Sequence, residues 1–267
     1  LRHFCEELKP GFALIGEVLF GDYNLIVNDE MLHSCTNYEC YKGIYSSFNS
    51  MNMFEIAHSL NRQYGPEQWC IYRGKHLMTF VDNHDVSRLA TILTNKNHIP
   101  LAYGLLFGMP GIPCIYYGSE WGEEGAKAPD NDYALRPCFE EPKPNKLTAF
   151  IKALIALRRE SDALCNGTYH NVVITNHQLV FERRTESERV LVAINASDAE
   201  YTAGSHELNG TFSRMLTYPG EFKTLVSKVA LEEAENFSDQ EAAAADTVTL
   251  NGQITMPAYS VQYLKMC

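Results

Sequence analysis

The chain has 267 residues, 45% apolar, 21% charged and 11% aromatic, a composition that builds a sizeable globular core. A formal net charge of −11 argues against nucleic acid or an anionic membrane as partner, since both recruit basic patches. Eight cysteines without a C-x-x-C pair disfavour zinc or dithiol chemistry and suit reduced thiols in a cytoplasm.

In chain order, "RHFCEEL" (2–8) closes a helix that Lys9, Pro10 and Gly11 break. "FALIGEV" (12–18) is continuously apolar and predicts a strand covered on both faces. "SCTNYE" (34–39) is a second strand, followed by helical residues from Tyr41 to Leu60. "LMTFVD" (77–82) is a third, with helical material after it through Phe107. "IPCIYY" (112–117) is a fourth, and "KLTAFIKALIALRRE" (146–160) reads as an amphipathic helix. The apolar stretch "PLAYGLLFGMPGIPCIYY" is interrupted by Gly and Pro and falls short of a membrane span. Strands alternating with helices predict a parallel sheet of βα units. Polar residues follow each strand: Glu17, then Asn37 and Tyr38, then Asp82 to Asp85, then Glu120. That recurrence places reactive groups on one rim, as at the C-terminal face of a barrel.

Beyond Asp162 the pattern changes to short strands separated by turns: "YHNVVITN", "QLVFERR", "RVLVAIN", "TVTL" and "SVQYLKM". They predict an antiparallel β-sandwich domain over 163–267, after an α/β domain over 1–162. The acidic, alanine-rich segment 228–246 reads as a solvated loop or short surface helix.

Two carboxylates on neighbouring strand ends, Glu17 and Asp85, suit glycoside hydrolysis, where a protonated acid and an ionised carboxylate work across one bond. The apolar neighbours in "LIGEVLF" are expected to desolvate Glu17 and favour its protonated form. Residue chemistry alone would make Glu17 the acid and Asp85 the nucleophile.

"GEV" (16–18), "FVDNHD" (80–85) and "MPGIPCIYYGSEWG" (109–122), in this order and with the β-rich segment behind them, resemble the α-amylase family, glycoside hydrolase family 13. "TNYECYKGIYSSFNS" (36–50) is most similar to its intracellular neopullulanase and cyclomaltodextrinase-like members. The resemblance implies a (β/α)8 TIM barrel, of which this chain holds the last four βα units, and a retaining attack on α-glucosidic bonds. It implies Glu17 as general acid/base and Asp85 as the carboxylate that stabilises the distorted sugar, not as nucleophile. His84 then hydrogen-bonds sugar hydroxyls, Tyr38 is an aromatic lining the substrate site after the sixth strand, and Asp132 and Arg136 grip glucose further from the cut. A surface i,i+4 ion pair is the plain alternative for those last two.

The family nucleophile stands in a Gly-x-Arg-x-Asp setting upstream of the acid, and no Arg-x-Asp occurs in this chain. The expectations that follow are half a barrel, no glycosidase activity from the chain alone, and self-association through the open half-barrel. No cofactor and no metal are expected, although calcium accompanies full-length members, and the partner is an α-glucan oligosaccharide. The rival is a non-catalytic carbohydrate-binding or scaffolding relative. A serine hydrolase fails because no Gly-x-Ser-x-Gly elbow is present.

Overall fold

The computed structural model describes residues 1–219 and 246–267, so the acidic segment 228–246 lies outside the described residues apart from Asp246. Four short strands run parallel at the start of the chain. β1 (Ile15–Gly16) pairs with β2 (Ser34–Cys35), and β3 (Met78–Phe80) pairs with β4 (Ile112–Cys114). A parallel bridge from Thr36 to Met78 joins the two pairs, so the spatial order follows the sequence order. Helix α1 (Arg2–Leu8) precedes β1, while α2 (Tyr38–Ser50) and α3 (Phe54–Tyr64) connect β2 to β3. Between β3 and β4 come α4 (Leu89–Ile92) and α5 (His98–Gly108). Two further helices, α6 (Lys146–Glu160) and α7 (Asp162–Asn166), follow β4. The expected domain boundary at 162/163 therefore falls at the start of α7.

Two expectations are corrected here. The helix predicted from Tyr41 to Leu60 is two helices, because Met51 adopts a left-handed φ of 51° and caps α2. The strand predicted over 12–18 shrinks to Ile15–Gly16, and Ile15 is 48% exposed rather than covered on both faces. Among the described residues β1 has β2 on one side and no strand on the other, so half of its ladder is unformed. Helix α1 buries none of its residues.

The remaining strands form one antiparallel sheet: β5 (Thr168–Ile174), β6 (Gln178–Arg184), β7 (Arg189–Asn195), β8 (Tyr201–Tyr218), β9 (Thr247–Met256) and β10 (Ser260–Met266), in the order β5-β6-β7-β10-β8-β9. Period-two alternation divides its residues between two cores. Leu179, Phe181, Val190, Val192 and Tyr263 face the helices. Val180, Leu191, Ala193, Phe212 and Leu264 pack among themselves on the other face. The antiparallel expectation holds, and among the described residues a single six-stranded sheet encloses that second core where two stacked sheets were anticipated.

The sheet docks on α5, and glycines make the close approach workable. A Cβ at Gly104 would stand 2.6 Å from Val261, and one at Gly108 would stand 3.0 Å from Phe181. These two glycines lie four residues apart and so share one helix face. Buried Arg158 and Arg183 then donate to the carbonyls of Phe107, Gly108, Met109 and Gly111. They satisfy the end of α5 where the chain turns into β4, and cationic groups suit that negative helix terminus. The docked α5 in turn fixes where the C-terminal ends of β3 and β4 open.

Candidate active site

Polar side chains gather where β1 to β4 end. A hollow of about 210 Å³ opens there, lined by the polar Glu17, Asn83, His84 and Tyr116 and by Ile15, Met78, Phe80 and Cys114. One ligand atom each from Glu17, His84 and Asp85 lies within 4.8 Å of the others. The sequence put Glu17 after one strand and His84 and Asp85 after another, and the parallel register brings them to one place.

Local chemistry explains how each is held. Asn37 caps α2 by accepting from the Cys40 N–H at 3.1 Å, which starts the helix at Tyr38 and aims that ring across β3. Tyr38 packs edge-on against Phe80 at 5.0 Å. Its hydroxyl donates to Glu17 Oε1 at 3.4 Å and accepts from Asn83 Nδ2 at 3.0 Å. Burial raises the Tyr38 phenol above its usual range, chiefly by desolvation, so the ring stays neutral and able to donate. Asn83 Oδ1 in turn accepts the Asp85 N–H at 2.8 Å and shapes the turn.

Asp85 sits between Arg136 and His84. Arg136 Nη2 is 3.1 Å from its Oδ1, and His84 Nε2 is 3.6 Å from its Oδ2. Arg136 also reaches Asp132 Oδ2 at 3.4 Å, and its Nε donates to the His84 carbonyl at 3.3 Å. The Asp132–Arg136 pair is thus more than a local i,i+4 contact, because the same guanidinium crosses to a residue 51 positions away. All of these groups are partly exposed, so the ion pairs are worth at most about 1 kcal/mol each; their importance is geometric.

Asp82 behaves differently. Its carboxylate is 2% exposed, and Oδ2 accepts from the Leu89 N–H at 2.7 Å and from the Ser119 hydroxyl at 2.8 Å. Burial raises its pKa, against the lowering effect of those donors and of Arg88. It supports the turn after β3.

Glu17 departs from expectation. The apolar sleeve read from "LIGEVLF" does not close around it, because Ile15, Leu19 and Phe20 are themselves exposed and so is Glu17. Neighbours in sequence desolvate a strand residue only when both sides of the strand are covered. Asp132 does not suit a calcium ion. Asp132 is flanked by Lys127 at 3.3 Å and by Arg136, so its charge is already met by cations.

Two residues that sequence reasoning passed over also belong here: Tyr116, which lines the hollow, and Arg88, whose guanidinium lies over the Tyr116 ring. "IYYG" signalled a strand end but not which tyrosine faces the hollow. Nothing in the sequence marks Arg88 as buried.

All eight cysteines are free thiols, and no helix among the described residues is long and apolar enough to cross a membrane.

Comparison with known proteins adds independent findings. The family model described as "Alpha amylase, catalytic domain" matches residues 2–142. The chain is 27% identical over 225 residues to a cyclomaltodextrinase of Thermoanaerobacter pseudethanolicus, covering 78% of this chain and 36% of that protein. It is 29% identical over 196 residues to an intracellular maltogenic amylase of Bacillus subtilis, covering 69% and 32% respectively. The crystal structure of the α-amylase of Geobacillus thermoleovorans, complexed with acarbose, superposes with a TM-score of 0.74 at 18% identity, covering 98% of this chain and 55% of that one. The chain thus spans about a third of the length of these curated relatives, and about half of that solved amylase.

Proposed function

The chain belongs to the alpha-amylase family, and from that premise we propose that it carries the acid/base side of the active site of a retaining α-glucan hydrolase or transglycosidase. Residues 1–162 are then the last four βα units of a (β/α)8 barrel, and 163–267 its C-terminal β-domain. The substrates are maltooligosaccharides, cyclodextrins or starch-like glucans. The observation that supports this reading is the convergence of Glu17, His84 and Asp85 beside one hollow.

In this reading Glu17 gives a proton to the glycosidic oxygen, and its carboxylate later activates the water or sugar acceptor. Asp85 and His84 bind hydroxyls of the sugar at the cut, and the Asp85 charge steadies the oxocarbenium-like state. Tyr38 holds Glu17 in place. Asp132 and Arg136 hold the next glucose. Among the described residues the other carboxylate lining the hollow is Asp82, which is buried and accepts two donors at Oδ2, so it is not placed to serve as nucleophile. The covalent step therefore lacks its partner within the described residues, and the chain alone binds without turnover.

A second reading, a carbohydrate-binding protein without chemistry, is favoured by one observation: Glu17 lacks the apolar surroundings that a catalytic acid uses. A cationic iminosugar that mimics the oxocarbenium charge separates the two. The enzyme reading expects it to bind at least about tenfold more tightly than maltose, and expects Asp85→Asn and Glu17→Gln to erase that margin. Equal affinity for both ligands in calorimetry supports the second reading. Reducing sugar released from maltohexaose by the purified chain, and lost in Glu17→Gln, would overturn the inactivity.

Two further proposals complete the reading. Eight free thiols suit a reducing cytoplasm. The exposed side chains Leu1, Phe4, Leu8, Phe12, Leu19 and Phe20, next to the free edge of β1, support self-association of the chain.

A further inference from the structure

Between Gly122 and Asn145 the chain runs with only one short 3-10 turn, Tyr133–Leu135, and this segment carries Asp132 and Arg136. A segment with so little regular structure needs outside partners for its backbone groups. Residues just after Asp85 supply them. Ser87 Oγ accepts the Lys127 N–H at 2.9 Å, and Thr91 Oγ1 accepts the Gly125 N–H at 2.7 Å. The Arg88 N–H donates to the Gly125 carbonyl at 2.8 Å.

The Arg88 side chain is the centre of this arrangement. It is fully buried, with 0% exposure, and no carboxylate is bonded to its guanidinium. Its Nη1 donates to the Tyr117 carbonyl and to Ser119 Oγ, and its Nη2 donates to the Leu135 carbonyl at 2.8 Å. Ser119 Oγ donates in turn to Asp82 Oδ2, which also accepts the Leu89 N–H. The guanidinium lies 4.4 Å from the Tyr116 ring centroid and 5.2 Å from that of Tyr117. One planar group thus ties the turn after β3, the turn after β4 and the 122–145 segment together, at the residue preceding Arg136. Three buried polar atoms of this cluster have no partner in the protein: Asp82 Oδ1, Arg88 Nε and Glu120 Oε2. Groups of this kind are satisfied by enclosed water.

A buried cation is costly unless its donors are paired, and here Nη1 and Nη2 meet three acceptors in directions that a planar fork reaches at once. Stability does not require it: a packed apolar residue would avoid the desolvation. We infer that Arg88 is a positioning residue of the sugar site, which sets Arg136 over Asp85 and braces Tyr116 against the hollow. This rests on the reading of Asp132 and Arg136 as sugar-binding groups.

The test uses Arg88→Lys and Arg88→Met in the full chain, with amide hydrogen exchange and calorimetry against maltohexaose. The expected result is exchange at Gly125, Lys127 and Arg136 faster by at least about tenfold, with β6 and β7 amides unchanged. A lysine keeps the charge but cannot span three acceptors, so Arg88→Lys should resemble Arg88→Met. Maltohexaose affinity should fall about tenfold, and adding Arg88→Lys to Arg136→Ala should cause no further loss. Unchanged exchange in folded Arg88→Lys overturns the inference. So does faster loop exchange with unaltered sugar affinity, or a uniform acceleration of all amides, which marks a stability effect only. Should both variants fail to fold, Ser119→Ala removes a single link and is read by the same two measurements. If the wild-type chain binds no maltohexaose, the functional reading falls, while the exchange arm still decides whether Arg88 holds the loop.

Discussion

The sheet of β5 to β10 and the four strands of β1 to β4 are built from similarly apolar sequence, yet they end in different states. In the sheet, six of the seven residues of β6 are buried, and strands run from seven to eighteen residues. In the parallel region each strand runs two or three residues, and α1 buries nothing. The difference lies in what each strand has beside it. A strand lengthens when both neighbours offer hydrogen bonds and both faces find cover, and β1 has one neighbour among the described residues. The polar groups assigned to function all sit in the sparsely covered region, and the sheet serves as its rigid support.

The largest expected effect tests that contrast from the well-packed side. Phe212 is fully buried in the sheet's own core, with Arg189 5.6 Å above its ring. Phe212→Ala should cost about 3–5 kcal/mol, read from urea unfolding. A loss below about 1 kcal/mol would mean that the second core is no better packed than the parallel region.

A smaller effect tests the seam between the two regions. His98 on α5 packs against Phe48 and Tyr259, and its Nε2 lies 2.9 Å from the Ala196 carbonyl. Burial lowers its pKa below the usual 6.5, only partly opposed by that carbonyl. The unfolded chain therefore binds this proton more readily than the folded one. Its share of stability is intact above about pH 6.5 and declines as pH falls from there through the folded value. His98→Gln should flatten that part of the stability–pH curve. An unchanged slope would show that the seam is not what responds to acid. His76 is shifted the same way by burial and should be replaced in parallel as a control.

How much of this was legible in the sequence follows the same division. The segments "QLVFERR", "RVLVAIN", "SVQYLKM" and "KLTAFIKALIALRRE" coincide with β6, β7, β10 and α6, where periodicity and real cover agree. The longest strand, β8, escaped notice because Gly204, Asn209 and Gly210 interrupt its alternation, and its register does shift between Gly204 and Asn209. In the site, Glu17, Tyr38, His84 and Asp85 were visible because polar residues after apolar strands mark a rim. The surroundings of Glu17 were misread, since sequence neighbours say nothing about whether the far side of a strand is covered. Arg88 was invisible for the opposite reason: an arginine shows in the sequence as a surface charge, and only its three acceptors show that it is buried.

The smallest effect repeats the first substitution in the other region. Phe4 on α1 is 61% exposed, so Phe4→Ala should change stability by no more than about 0.5 kcal/mol in dilute solution. Self-association through this face predicts something more specific. The wild-type unfolding midpoint should rise with protein concentration, because a partner that binds only the folded chain stabilises it by mass action. The charge of −11 opposes that contact, so the rise should steepen as salt screens the repulsion. Phe4→Ala should reduce the concentration dependence, while Phe212→Ala should lower every midpoint and leave the dependence in place. A wild-type midpoint independent of concentration at high salt would remove self-association. A Phe4→Ala loss of several kcal/mol at the lowest concentration would instead show that the face is packed within a single chain, and would erase the contrast between the two regions.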